Sequence, residues 1–163
     1  MEKWKKRFLI YLGIGIFLLL VDQVTKIMAI GHQGTLIPGL LDISLVENRG
    51  GTFGVGQNST FTFIVTTIIV IGIILRFMMV RKEELDFKTG FALSMIIAGG
   101  IGNLIDRLLR GYVVDFIDFS KWIPFPVFNL ADCFVVIGIF LLLIFFGIYT
   151  YQKRKGKEEE KLN

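Results

Sequence analysis

The sequence holds one cysteine and one histidine in 163 residues. A lone Cys133 cannot build a disulfide framework. With His32 as the only imidazole, there is also no zinc-ligand set and no Cys/His nucleophile pair of plausible geometry. Several enzyme classes are thereby removed. Cys133 reads as a small helix-packing residue and His32 as a loop residue. No internal repeat is visible. What the chain has in excess is apolar: 53% of it is hydrophobic, 16 residues are Phe, and the mean hydropathy is +0.66. No small water-soluble core absorbs that much, so the chain reads as a membrane protein.

Four apolar stretches reach the ~20 residues a helix needs to cross a hydrocarbon core. They lie at about 8–30, 60–80, 89–109 and 129–151, with an extracytoplasmic loop at 31–59, all within a single membrane domain spanning 1–163. The opening "MEKWKKRFLIYLGIGIFLLL" has the basic and apolar regions of a secretory signal peptide. It lacks a small-x-small cleavage site and three more spans follow, so it is expected to be an uncleaved first transmembrane helix.

The formal net charge of +4 does not point to nucleic acid, because the cations sit beside the apolar runs. Twelve Lys and Arg residues fall in the N-terminal segment, the 81–88 loop and the tail, against Arg49, Arg110 and Lys121 in the other two loops. Both termini are therefore expected to be cytoplasmic. The outer loop carries "LLDISLVEN", residues 40–48, whose alternation predicts a strand, followed by the glycines of "NRGGTFGVG". The fold class expected is an all-α polytopic membrane protein: four transmembrane helices and a small extracytoplasmic sheet. The tail "KRKGKEEEKLN" reads as a frayed, solvated end.

Charges inside apolar spans need partners or functions. Asp22 and Lys26 share a helical face at i, i+4, either as a self-neutralising pair with Lys26 snorkelling or with Lys26 facing a polar site. Asn103, Asp106 and Arg107 share a face of the third span, behind the small-residue run "AGGIGN", and the adjacent Asp106 and Arg107 are expected to satisfy each other as scaffold. Gly111, Val113 and Val114 predict the end of that helix, which puts Asp115 near the outer interface. Asn129 has N-cap chemistry for the fourth span, and Asp132 lies three residues on, either as a capping acid or as a functional one. If Asp132 meets Asp115, the two carboxylates share a proton. One can then activate water while the other polarises a carbonyl, with no metal or cofactor. By spacing alone Asp118 serves as well as Asp115.

Four blocks, "DQVTK" at 22–26, "NRGGTFG" at 48–54, "GNLIDRLLRGYVVDFID" at 102–118 and "FNLADC" at 128–133, together resemble the lipoprotein signal peptidases, the type II signal peptidases of bacteria. The resemblance implies an aspartic endopeptidase of the bacterial cytoplasmic membrane. Its substrates would be diacylglyceryl-modified prolipoproteins, cut on the N-terminal side of the lipidated cysteine. It selects Asp115 and Asp132 as the catalytic pair and leaves Asp118 a surface acid. It gives supporting roles to Asp22, Lys26, Asn48, Gly50, Asn103, Arg107 and Asn129. The implied enzyme acts as a monomer among membrane lipids, with its site near the outer leaflet. Gly51 and Thr52 stand where the family usually has two alanines. The glycine-rich turn, residues 50–56, is expected to clamp and release substrate. Two rival readings are a small proton-coupled transporter, whose key acid would lie near the bilayer midplane, and an inactive membrane scaffold.

Overall fold

The structure, a computed structural model, describes residues 2–50 and 60–162. Four helices carry the chain: α1 (Lys3–Gly31), α2 (Thr60–Val80), α3 (Phe87–Arg110) and α4 (Leu130–Leu162). Three strands lie between them: β1 (Gly34–Ile37), β2 (Leu41–Asn48) and β3 (Val113–Asp118). All four helices are long and apolar enough to span a membrane. The tail, expected to fray, continues α4 to Leu162, and its Lys, Arg and Glu residues are good helix formers.

α2 shows why the bilayer, not propensity, sets the structure. "TFTFIVTTIIVIGIILRFMMV" is rich in β-branched residues and would suit a strand in water. In hydrocarbon, every backbone N–H and C=O must be paired within the segment, and a helix does this. α3 differs from the rest. Half of its most apolar window (50%) is buried, against 11% in α1 and 6% in α2, so α3 is the post on which α1, α2 and α4 pack. The outward faces of the other three display Phe17, Leu20, Ile73, Phe140 and Leu143. Such a surface is stable only in lipid.

Small residues let α4 approach α3 closely. A Cβ added at Gly99 would collide with the carbonyl of Ala131, and one added at Gly102 would lie 2.5 Å from the Asp22 carboxylate. At the other end of α3, Asp86 caps the helix by accepting the Thr89 N–H at 3.0 Å. Gly111 ends it in the left-handed region (φ 81°), its N–H returning to the Arg107 carbonyl.

That turn sends the chain directly into β3. The sheet has the order β1-β2-β3, antiparallel throughout, with Asp118 opposite Asp42 and Asp115 opposite Val46. The register shifts between Ile43 and Val46. Phe128, just before α4, pairs with Ile117, so the strand that carries Asp115 also anchors the start of the helix that carries Asp132.

Candidate active site

Asp115 lies in the part of β3 that is covered on both faces. Val113, Val114, Asp115 and Phe116 are all buried between the sheet and the helix ends. Asp118, three residues on, points to the opposite face of the strand. It accepts the Ser120 N–H at 2.8 Å, and its Ser120 and Ser44 bonds hold it below the usual carboxylate range. The tie that spacing left between the two acids is therefore broken by backbone geometry: only Asp115 faces Asp132.

One asparagine links that pair. Asn129 is the N-cap of α4 and accepts the Asp132 N–H at 3.0 Å, and Asp132 in turn accepts the Asn129 N–H at 3.3 Å, a reciprocal capping box. Because the Asn129 carbonyl faces that N–H, its amide faces the other way and donates to Asp115 Oδ1 at 2.6 Å. The cap and the carboxylate contact are thus one arrangement. Asp132 caps α4 and is linked to Asp115 through Asn129.

The remaining oxygens are met by two more asparagines. Asn48, the last residue of β2, donates to Asp115 Oδ2 at 2.9 Å, and Asn103 of α3 donates to Asp132 Oδ1 at 2.8 Å. The orientation of Asn103 is enforced from behind. Lys26 has only donors and gives one to Asn103 Oδ1 at 3.0 Å, so the Asn103 amide must turn toward Asp132. Burial, with the negative charge of Asp132 added, pushes the Asp115 carboxyl up to about 6, against the opposing bonds from Asn48 and Asn129 and the charge of Lys26.

Lys26 does not snorkel. It is fully buried and sits 3.0 Å from Asp22 and 2.9 Å from Asp106. Asp22 also accepts the Ala131 N–H at 2.9 Å, and Asp106 accepts Arg110 at 2.5 Å and the Val114 N–H at 3.2 Å. These bonds tie α1, α3, β3 and α4 together immediately behind the asparagines. Asp106 and Arg107 do not satisfy each other as expected, because successive helical side chains diverge by about 100°. Arg110, at i+4 from Asp106, is the partner that sequence reading missed, and its spacing was the available signal. Arg107 instead donates to the Gly50 carbonyl at 2.9 Å and the Asn103 carbonyl at 3.3 Å, with Phe63 over its guanidinium at 5.1 Å.

Asp22, Lys26, Asn48, Asn103, Asp106, Arg107, Asp115, Asn129 and Asp132 therefore fall in one contiguous cluster, with Gly50 at its edge; the Gly50 N–H donates to Asn48 Oδ1 at 3.0 Å. Gly51, Thr52 and the rest of the glycine-rich turn lie outside the described residues. Beside the cluster a cavity of about 330 Å³ opens between α2, α3 and α4. Asn48, Asn103, Arg107 and Asp132 form its polar corner, and residues such as Ile71 and Val135 form its apolar walls. A carboxylate pair at the end of an apolar cleft, Asp115 buried and Asp132 half-buried, can activate water against a backbone carbonyl of an apolar chain.

Comparison with known proteins places the chain in a family. A family profile described as signal peptidase (SPase) II matches residues 14–148. A lipoprotein signal peptidase of Caldanaerobacter subterraneus subsp. tengcongensis is 46% identical over 77% of this chain and 88% of its own length. One from Staphylococcus carnosus is 39% identical over 91% of this chain and 94% of its own. A solved structure described as a bacterial membrane enzyme superposes with a TM-score of 0.80 at 32% identity, covering 88% of this chain and 90% of that one.

Proposed function

This chain belongs to the signal peptidase II family, and from that membership we propose that it is an aspartic endopeptidase in which Asp115 and Asp132 jointly activate water. It is a lipoprotein signal peptidase, a multi-pass bacterial membrane protein whose substrates are prolipoproteins. The observation that supports the dyad is the role of Asn129: one side chain caps half-buried Asp132 and donates to buried Asp115, linking the two carboxylates.

In the mechanism, the pair carries one proton. The ionised carboxylate takes a proton from water as the water oxygen attacks the scissile carbonyl, and the protonated carboxyl hydrogen-bonds the carbonyl oxygen. Collapse of the tetrahedral intermediate breaks the C–N bond, and the leaving amine takes a proton from the dyad. No covalent intermediate forms. The scissile amide precedes the diacylglyceryl-modified cysteine. Asn48, Asn103 and Asn129 orient the carboxylates, and Lys26 orients Asn103. Arg107, whose Nε is buried without a partner among the described residues, stands at the polar corner of the cavity. The apolar cavity suits the end of a signal helix or the acyl chains beside it.

The excess of Lys and Arg in the termini and the 81–88 loop supports cytoplasmic termini, which puts the dyad at the outer leaflet, where the substrate's diacylglyceryl group lies. In this proposal the enzyme is a monomer surrounded by membrane lipids.

The test is cleavage of a purified diacylglyceryl-modified prolipoprotein. The parent and Asp118→Asn are expected to cut before the modified cysteine at similar rates, while Asp115→Asn and Asp132→Asn lose about 10³-fold or more. Retention of activity within tenfold by either of the latter would overturn the proposal.

A further inference from the structure

At the end of the bundle opposite the dyad, α1 and α2 each pack on α3 but hardly on one another, leaving a slot between them. Two hollows occupy it. One, about 360 Å³, is walled by Trp4, Arg7 and Lys82 at its mouth and by Phe8, Tyr11 and Met78 below. The other, about 130 Å³, shares Phe8, Tyr11 and Met78 and runs on past Gly15 and Leu19 along α3. From Trp4 to Leu19 the slot follows α1 for about 22 Å, more than the ~15 Å of one leaflet's hydrocarbon.

The mouth is cationic and the stem is apolar. Lys82 Nζ stands 4.3 Å over the Trp4 ring, and Arg7 Nη1 donates only to the Leu85 carbonyl, at 3.0 Å. Neither cation has an acidic partner among the described residues. The nearby acids are engaged elsewhere: Glu84 by Arg81, Glu2 by Lys5 and Asp86 by Thr89, while Glu83 is not in the wall. Lys3, Lys6 and Lys88 add to the positive field.

We propose that this slot binds one anionic glycerophospholipid, its phosphate held between Arg7 and Lys82 and one acyl chain laid along α1 past Tyr11 and Gly15. Charge and shape together select that occupant. A signal peptide carries a basic n-region and would be repelled by the same mouth. A neutral amphiphile leaves the two cations unanswered. An apolar stretch that covers the depth of one leaflet's hydrocarbon and extends beyond it to a cationic cap matches an anionic headgroup with its chain. The bound chain fills the gap between α1 and α2 that protein contacts leave.

Trp4 reports occupancy directly. The chain has 2 tryptophans, and the other, Trp122, lies on an exposed loop beyond β3, so Trp122→Phe leaves Trp4 as the only indole. In phosphatidylcholine nanodiscs, chain-brominated phosphatidylglycerol should quench Trp4 with saturation, and brominated phosphatidylcholine should need about tenfold more or greater for the same effect. Arg7→Gln with Lys82→Gln should abolish that preference, and the charge-conserving Arg7→Lys with Lys82→Arg should keep it. A Cβ at Gly15, in the wall of the stem, meets nothing within 4 Å, so a side chain has room to start there, and Gly15→Leu should weaken quenching by mid-chain bromines. Equal quenching by the two lipids would overturn the proposal. So would a preference that survives loss of both charges, or mid-chain quenching unchanged by Gly15→Leu.

Discussion

Asn129 donates to Asp115 at 2.6 Å with the same side chain whose carbonyl caps the Asp132 N–H at 3.0 Å. Helix capping and carboxylate positioning are therefore inseparable at this residue. Asn129→Ala removes the cap, worth about 1 kcal/mol. It also removes a donor that favours ionised Asp115. The carboxyl, already raised to about 6, then moves higher, and the limb of the kcat/KM profile against pH that Asp115 sets shifts to higher pH. A loss of rate with an unmoved limb would mean that Asn129 acts only as a cap.

Asp115 also bears on stability. Its carboxyl titrates at 3.8 when unfolded and about 6 when folded, so the folded state keeps its proton longer. Below about pH 4 both states are protonated and nothing is lost; as pH rises from 4 to 6 the unfolded chain ionises first and stability falls, by about 3 kcal/mol at most. Asp115→Asn abolishes that penalty but leaves one of the two asparagine donors facing an amide, at a cost of about 1 kcal/mol. The variant is expected to unfold at a higher temperature than the parent at pH 8, with the difference shrinking or reversing by pH 4. Thermal unfolding in detergent at the two pH values checks this.

How far the sequence speaks is clearest at individual acids. The i, i+4 spacing of Asp22 and Lys26, the strand at 40–48, the helix-ending Gly111 and the N-cap Asn129 are all local signals, and the structure has each of them. Asp106 as the second carboxylate on Lys26 was not legible, because it depends on how α1 meets α3. Spacing alone does not choose between Asp115 and Asp118, because it does not say whether the segment is helix or strand. On a strand, three residues apart means opposite faces, so the choice follows once β3 is recognised. The role of Arg107 toward Gly50 lies across 57 residues of chain and has no local signature.

Lys26 is the only cation touching both buried carboxylates of Asp22 and Asp106 among the described residues, apart from Arg110 at the rim of Asp106. Lys26→Met leaves two buried charges underpaired and should cost about 3–5 kcal/mol. Adding Asp22→Asn and Asp106→Asn to Lys26→Met should recover part of the stability but not the activity, since Asn103 no longer has a donor fixing its orientation. Recovery of full activity in that triple variant would show that Lys26 only balances charge.

The glycines of α3 give a graded test of the packing. Gly102→Ala forces a methyl against the Asp22 carboxylate and should lower both stability, by about 1–3 kcal/mol, and activity. Gly100→Ala meets only Ile71 and Thr67 side chains, the nearest at 3.4 Å, and should be tolerated. Equal effects of the two substitutions in thermal unfolding would contradict the α1–α3–α4 arrangement described.

The dyad itself is tested most directly by a double-mutant cycle on kcat/KM for cleavage of a diacylglyceryl-modified prolipoprotein, using Asp115→Asn, Asp132→Asn and both together. Two carboxylates that share one proton act as a unit, so each single substitution should cost about 10³-fold or more and the double substitution little beyond that. Losses that multiply in the double variant, or a single variant within tenfold of the parent, would contradict a shared catalytic role for Asp115 and Asp132.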